Sequence, residues 1–301
     1  MDVTCVICTF RRPEPLADAL RSAVAQTLTP SLFEVLVVDN ASDPATEAAV
    51  HELSASNLRY VREPNLGLSN ARNRGLREAR GRLVAFMDDD AVAEPAWLEA
   101  LLASFATGPQ PMAVGGPVRG LWEAERPRWL RGHLLTFLSL LDYGALPKEC
   151  SLPEEPLFGC NFAVGRDVAL ELGGFRAILG RSGGRLLSAE EIDFQVRLLR
   201  AGGHVLYEPA AVVGHRVPAE RMTRRWFLRR VYAQGISDAL VTRTSGGSGV
   251  SGELRPPLRY RLKRAMRSPS LTLVALGAAY AVGFARGAAA SLGRVPDPGA
   301  P

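Results

Sequence analysis

Asp88, Asp89 and Asp90 stand in a row directly behind the apolar run Leu83-Val84-Ala85-Phe86-Met87. Five consecutive apolar residues fit a strand buried on both faces of a parallel sheet, so the three carboxylates emerge together at its C-terminal edge. Open α/β sheets bind their ligands at that edge. Adjacent anions repel, and holding them side by side is costly unless a cation such as Mg²⁺ or Mn²⁺, or a hydrogen-bonding ligand, offsets the repulsion. The pattern therefore points to a metal site beside a phosphate. The structural alternative is a turn before a helix, and Glu94-Pro95 does signal a helix start a few residues later.

Other residues can reach the same crevice. Asp39-Asn40 closes a second apolar run, where a carboxylate can accept hydrogen bonds from a nucleobase or ribose. In Asn65-Leu66-Gly67-Leu68-Ser69-Asn70-Ala71-Arg72-Asn73-Arg74-Gly75, Gly67 permits close backbone approach and Ser69 can cap a helix. Arg72 supplies a cationic donor beside a helix N-terminus, a setting that suits phosphate, while Arg74 is expected to face solvent. His215, after Val212-Val213-Gly214, is a candidate metal ligand or diphosphate contact behind a strand. His51 and His204 belong to no constellation and are expected on the surface. Ser188-Ala189-Glu190-Glu191 reads locally as a Ser-x-x-Glu capping box at a helix start.

The elements that position these residues alternate strand and helix through the first hundred residues, the pattern of a parallel sheet with crossover helices. Strands are expected over 3–8, 34–38, 58–61 and 83–87, with helices over 13–26, 46–53 and 69–80. Leu16, Leu20 and Val24 mark the inner face of the first helix and Ala71, Leu76 and Ala79 that of the third. After Pro117 the rhythm breaks. Residues 119–156 carry Trp122, Trp129, His133, Phe137 and Tyr143 among many leucines, and a helix completing the core is expected there, with an acceptor wall or lipid contact as the functional alternative. Order resumes with a strand over 161–164, helices over 167–172 and 189–200, and a strand over 205–207. Residues 244–257 read as a Gly/Ser/Pro linker.

At 301 residues the chain can hold one large α/β domain with appendages. Its net charge is only +5, yet residues 221–267 hold twelve basic residues against Asp238 and Glu253. That basic third suits a membrane surface or a phosphate-rich ligand, and no nucleic-acid-binding module appears. Arg221, Arg224, Arg225, Arg229 and Arg230 surround Trp226 and Phe227 on an expected helix. Period two sends Cys5 and Cys8 to opposite faces of one strand, so they read as buried thiols, and four scattered cysteines indicate a reducing compartment. No signal peptide is expected, since strand pattern starts almost at Met1. The apolar stretch 271–285 falls short of the ~20 residues of a spanning helix, and Arg286 follows it.

Taken in order, these motifs resemble those of the inverting family 2 glycosyltransferases of the GT-A fold. Val6-Ile7-Cys8-Thr9-Phe10-Arg11-Arg12 is similar to the family's opening strand and loop, and Val37-Val38-Asp39-Asn40 to its second strand end. Asn65 to Gly75, the Asp-x-Asp pattern of Asp88 to Asp90, Gly159-Cys160-Asn161, Gly173-Gly174-Phe175 and Ala189-Glu190-Glu191-Ile192-Asp193 continue it over roughly residues 2–235. The resemblance implies an α/β fold, a mixed nucleotide-diphospho-sugar-binding sheet flanked by helices. It implies a nucleotide-sugar half over 1–117 and an acceptor and catalytic half over 118–235, with a helical basic extension over 236–301. Thr9, Arg11, Asp39, Asn65, Gly67, Arg72, Asp88 and Asp89 would hold the donor, and Asp88, Asp90 and His215 a Mg²⁺ or Mn²⁺ ion. Glu191 stands where the family places its base, usually Asp; Glu190 and Asp193 are the alternatives, and Asn161 and Trp129 would lie on the acceptor side. The expected partners are a nucleoside-diphosphate sugar and a glycan, lipid-linked or small-molecule acceptor. The expected location is the cytoplasm, with the basic third at the inner face of the membrane. A sugar nucleotidyltransferase is the enzymatic rival, but Thr9-Phe10-Arg11-Arg12-Pro13 lacks its Gly-rich phosphate loop. A sugar-nucleotide or membrane-binding module without turnover is the other, resting on the Glu190-Glu191 departure.

Overall fold

Four apolar runs become the central strands because parallel strands covered on both faces must be apolar throughout. They are β1 (Val3–Thr9), β2 (Phe33–Asp39), β3 (Leu58–Arg62) and β4 (Leu83–Asp88), paired in parallel in the order β3-β2-β1-β4. The computed structural model describes residues 1–41, 43–107, 111–152, 154–183, 185–244 and 271–290. Register sets the chemistry: Thr9 pairs with Asp39 and Cys8 with Asp88, so the polar ends of three strands line one edge. The crossovers are α1 (Pro13–Val24), α2 (Pro44–Glu52) and α3 (Leu68–Glu78). Leu16 and Leu20 of α1 pack with Cys5 and Ile7 on one face of the sheet, while Ala71 and Leu76 of α3 pack with Val6 on the other. Cys5 and Cys8 therefore do point to opposite faces, and all four cysteines are free thiols.

Beyond Asp88 come β5 (Ala91–Ala93), α4 (Trp97–Ser104), β6 (Ala113–Gly115), β7 (Val118–Trp122), β8 (Lys148–Glu149) and β9 (Phe162–Gly165). These are followed by α5 (Arg166–Glu171), α6 (Glu190–Arg200), β10 (Val205–Tyr207) and β11 (Val213–Val217). The main sheet continues from β4 as β9-β6-β10-β8, with β9 antiparallel to both β4 and β6. The sheet is thus mixed. A second, three-stranded sheet runs β5-β11-β7, and in it His215 pairs with Ala91. His215 lies inside this strand rather than behind it, and the pairing, with the Arg216 N–H donating to the Asp90 carbonyl at 2.9 Å, brings the imidazole to the aspartate row.

Residues 119–156 do not form the α-helix expected of them. Pro127, Gly132, Gly144 and Pro147 interrupt the run, and it folds as β7, a 3₁₀ turn over Gly132–Leu138 and β8, its leucines still joining the core. At the other end α7 (Arg224–Thr244) runs unbroken through residue 235 and packs along α8 (Leu271–Ala289). The helices touch closely because of glycine: a Cβ on Gly283 would stand 2.0 Å from the Tyr232 carbonyl oxygen. Tyr280 donates to Asp238 at 3.0 Å across this contact. Among the described residues no helix is long and apolar enough to cross a membrane. Most of the expected linker, 245–257, lies outside the described residues.

Candidate active site

The aligned ends of β1 and β4 open into a cleft of about 330 Å³, closed on the far side by residues 181–183 and 185–192 and by α7. Asp88, the most exposed of the three aspartates, faces this space, with Asp89 and Asp90 buried behind it. Asp89 accepts from the Thr9 hydroxyl at 2.8 Å and from Arg12 at 2.5 Å. Burial pushes its carboxyl up despite the Arg12 charge. Asp90 is buried too, which works against its charge, but His215, Arg12 and Arg221 hold its carboxyl well below the usual range. Arg12 and Arg221 take its Oδ2 at 2.8 and 3.2 Å, leaving Oδ1 to His215 Nε2 at 3.2 Å.

This arrangement fits a divalent cation. One ligand atom each from Asp88, Asp90 and His215 lies within 4.8 Å of the others, and the buried His215 Nδ1 has no hydrogen-bond partner. Two carboxylates suit a hard divalent cation.

Across the cleft, Glu190 and Glu191 begin α6. The capping box does not form: Ala189 precedes the helix in the left-handed region at φ 77°, with no side-chain cap. Ser188 instead donates its hydroxyl to Gln234 at 3.0 Å on α7. A strained residue beside the buried Glu190 carboxylate is the kind of cost that functional sites carry. Glu190 accepts from buried Arg72 at 2.6 Å, and Arg72 also reaches Asp88 at 3.3 Å, so one guanidinium links the two walls. Arg72 is thus engaged by protein carboxylates rather than open to phosphate. Glu191 also lines the cleft, with its Oε2 buried and unpartnered. Burial and the neighbouring Glu190 charge push its pKa up to about 8.

Several expected site residues serve the framework instead. Asn40, not Asp39, lines the cleft; Asp39 accepts from the Ala41 and Asp43 N–H groups and from Tyr60. Gly67 does line it, at φ 129°, its N–H held by Asn40, while Asn65 is exposed and bonded to Glu63. Asp193 turns away, clamped by Arg176 at 3.1 Å and Arg197 at 2.9 Å, since three residues on one helical turn cannot share a face. Trp129 packs edge-on against Phe227, ring centroids 5.1 Å apart, and it is Trp226 that reaches the cleft. Arg11 is exposed over the Phe10 ring. The chain leaves β1 through a left-handed turn at Arg11, φ 54°, which breaks strand parity and delivers Arg12 to the aspartates.

Asn161 is fully buried, giving both amide protons to the Pro117 and Ala211 carbonyls and accepting from the Trp97 indole. Asn161→Leu is expected to leave three buried polar groups unpaired and cost about 3 kcal/mol or more in urea denaturation. A variant of wild-type stability would restore Asn161 to the acceptor side.

Sequence comparison settles the family, because the model of glycosyl transferase family 2 matches residues 4–173, more than half of the chain. The chain belongs to glycosyl transferase family 2. Among similar proteins, the succinoglycan biosynthesis protein ExoM of Rhizobium meliloti is 34% identical over 234 residues, 76% of this chain and 71% of that protein. The glucosyl-dolichyl phosphate glucuronosyltransferase of Haloferax volcanii is 29% identical over 246 residues, 80% of this chain and 77% of its own. The fold is shared with the mannosyltransferase PcManGT of Pyrobaculum calidifontis, solved with GDP-Man and Mn²⁺, at TM-score 0.59 and 22% identity, covering 93% of this chain and 79% of that one. GalNAc-T7, solved with UDP, GalNAc and Mn²⁺, aligns at TM-score 0.57 and 17% identity over 80% of this chain and 50% of its own. The protein is thus a glycosyltransferase of the GT-A fold. Sequence reasoning missed Arg12, Arg181 and Gln234 as cleft residues of this glycosyltransferase, and read Arg221 and Arg230 only as part of a basic helix around Trp226 and Phe227. Each comes from a loop or from α7, where no periodic pattern marks it.

Proposed function

We propose that this glycosyltransferase moves a sugar from a nucleoside-diphosphate donor to an acceptor hydroxyl with inversion, Glu191 serving as general base. The observation that carries the reading is Glu191 itself: a cleft carboxylate with an unpartnered oxygen and a pKa near 8, in the same cavity as the Asp88, Asp90 and His215 cluster. A base poised close to neutral pH is suited to take a proton from a hydroxyl as it attacks. One displacement on the face opposite the leaving group inverts the anomeric centre.

Asp88, Asp90 and His215 would hold the divalent cation, which supplies countercharge for the departing nucleoside diphosphate. Arg12 and Thr9 fix Asp89 and Asp90 behind it, and Arg72 keeps Glu190 charged-paired beside the base. The relatives' names support a glycan precursor, including one carried on a lipid phosphate, as acceptor. Exposed Arg224, Arg225 and Arg229 on α7 support an approach to an anionic membrane surface.

Thermal denaturation with UDP-, GDP- and dTDP-sugars, each with and without Mn²⁺, tests this. One nucleotide class is expected to stabilise the protein only with Mn²⁺, by about 2.7 kcal/mol at a hundredfold excess over Kd. Asp90→Ala is expected to lose that gain. Absence of a shift with every nucleotide would overturn the reading.

A further inference from the structure

Among the described residues, Arg181 and Arg230 line the cleft without an acidic partner. Arg230, on α7, is only 7% exposed, and its Nε and Nη1 are buried without an acceptor. Its Nη2 alone donates, to the Ser188 hydroxyl at 3.2 Å, and the Phe137 ring 5.8 Å away gives a cation–π contact that offsets part of the burial. Arg181, half-buried on the segment between α5 and α6, lines the same cleft, and among the described residues it likewise has no ion pair.

The surrounding charges make matters worse for both. Burial and then Arg181 weigh against the Arg230 cation; burial and then Arg221 weigh against Arg181. The acidic groups facing them are committed elsewhere. Asp88 and Glu190 are held by Arg72, Asp90 by Arg12, Arg221 and His215, Asp238 accepts from Gln234 and Tyr280, and Glu191 has its own pKa pushed up. An arginine does not shed its proton to escape such a site. A buried, forked donor with two open N–H groups beside a second cation is built to take a carboxylate or phosphate.

The donor diphosphate does not account for Arg230, and Arg181 stands between it and the aspartate row. Arg12 and Arg221 already bind the aspartate row, whereas Arg230 touches Ser188 and Phe137 on the opposite wall, next to Glu191. We propose that Arg181 and Arg230 form a subsite for a second anion, a carboxylate or phosphate carried by one of the sugar substrates in addition to the donor's diphosphate. The proposal rests on the glycosyl-transfer reading above. Its chemistry is shared by a uronic-acid sugar and by a phosphorylated acceptor.

The test uses the full chain held at saturating nucleoside diphosphate and Mn²⁺, then titrated with glucuronate, glucose 6-phosphate or neutral glucose while thermal denaturation is followed. At least one charged probe is expected to raise the melting temperature saturably, and glucose is expected to give no rise. The tighter of the two charged probes names the source, carboxylate or phosphate. Arg230→Met is expected to weaken that binding about tenfold or more, as loss of charge-assisted hydrogen bonds does. The same variant without a probe should be no less stable than wild type, because it removes an uncompensated cation. If Arg230→Met does not fold, Arg181→Met carries the same comparison. A nucleotide shift without any probe shift, or a probe shift that survives both substitutions, overturns the subsite. Absence of the nucleotide shift alone would instead count against the transfer reading.

Discussion

Glu191→Gln is expected to lower the transfer rate by about 10²- to 10⁴-fold, the usual contribution of a positioned general base, with binding of nucleotide and Mn²⁺ nearly unchanged. The amide keeps the shape of the side chain and cannot accept the proton. The loss should therefore fall on kcat rather than on KM for the donor. Glu190 is the neighbouring alternative, and its Oε2 is unpartnered as well, but its Oε1 is bound to Arg72 at 2.6 Å, an ion pair that Glu191 does not make among the described residues. In wild type, kcat/KM should climb with pH until about 8, where Glu191 becomes ionised, and then level off. The stability of the unliganded protein should run the other way. The unfolded chain releases this proton near 4.5 and the folded protein near 8, so folding takes up a proton between those values. Whatever stability the protonated carboxyl confers is complete below 4.5 and lost as pH rises through 8; Glu191→Gln does not titrate and should melt higher than wild type at pH 9. Full activity in the variant would move the base elsewhere, and parallel melting profiles would place Glu191 in water.

The first four strands were legible because parallel strands buried on two faces have to be written as unbroken apolar runs. Leu83 to Met87 and the three aspartates behind it show strand, edge and charge in eight residues. The cleft's far wall was not, because its decisive contacts are remote in sequence: Arg72 meets Glu190 across 118 positions, and Asn161 is fixed by Trp97, Pro117 and Ala211. Local pattern was at times misleading for a physical reason. Ser188 and Glu191 have the spacing of a capping box, but a left-handed Ala189 and the pull of Gln234 on the Ser188 hydroxyl take the motif apart. Arg11 rather than Arg12 continues the alternation of β1 past Thr9, and a single positive φ reverses which of them faces the aspartates. The resemblance singled out Glu191 as the base where local spacing favoured a cap, and Glu191 does line the cleft. It could not separate Glu191 from Asp193, whose carboxylate is taken by Arg176 and Arg197.

Arg72→Met should be the most damaging single change to stability, costing about 3–5 kcal/mol as the breaking of a buried ion pair does. Arg72 is 3% exposed, lies between the rings of Phe86 and Phe175 at 5.9 and 5.5 Å, and joins Glu190 to Asp88. Without it Glu190 is left as a buried anion with both oxygens unpartnered, since its Oε2 has no hydrogen bond even in wild type. Lysine is no substitute: one ammonium lacks the fork that reaches both carboxylates. The same guanidinium explains Gly159, where a Cβ would come within 2.3 Å of Arg72 Nη2, so Gly159→Ala should share part of the defect by displacing the arginine. A double-mutant cycle separates stability from function. Adding Glu190→Leu to Arg72→Met removes the orphaned charge and should recover most of the lost stability in urea denaturation, because an apolar pair can replace a buried ion pair. It should recover none of the activity, since nothing then ties α6 and its Glu191 to the aspartate wall. A loss below about 1 kcal/mol for Arg72→Met would show that the buried pair is not what holds the two walls together.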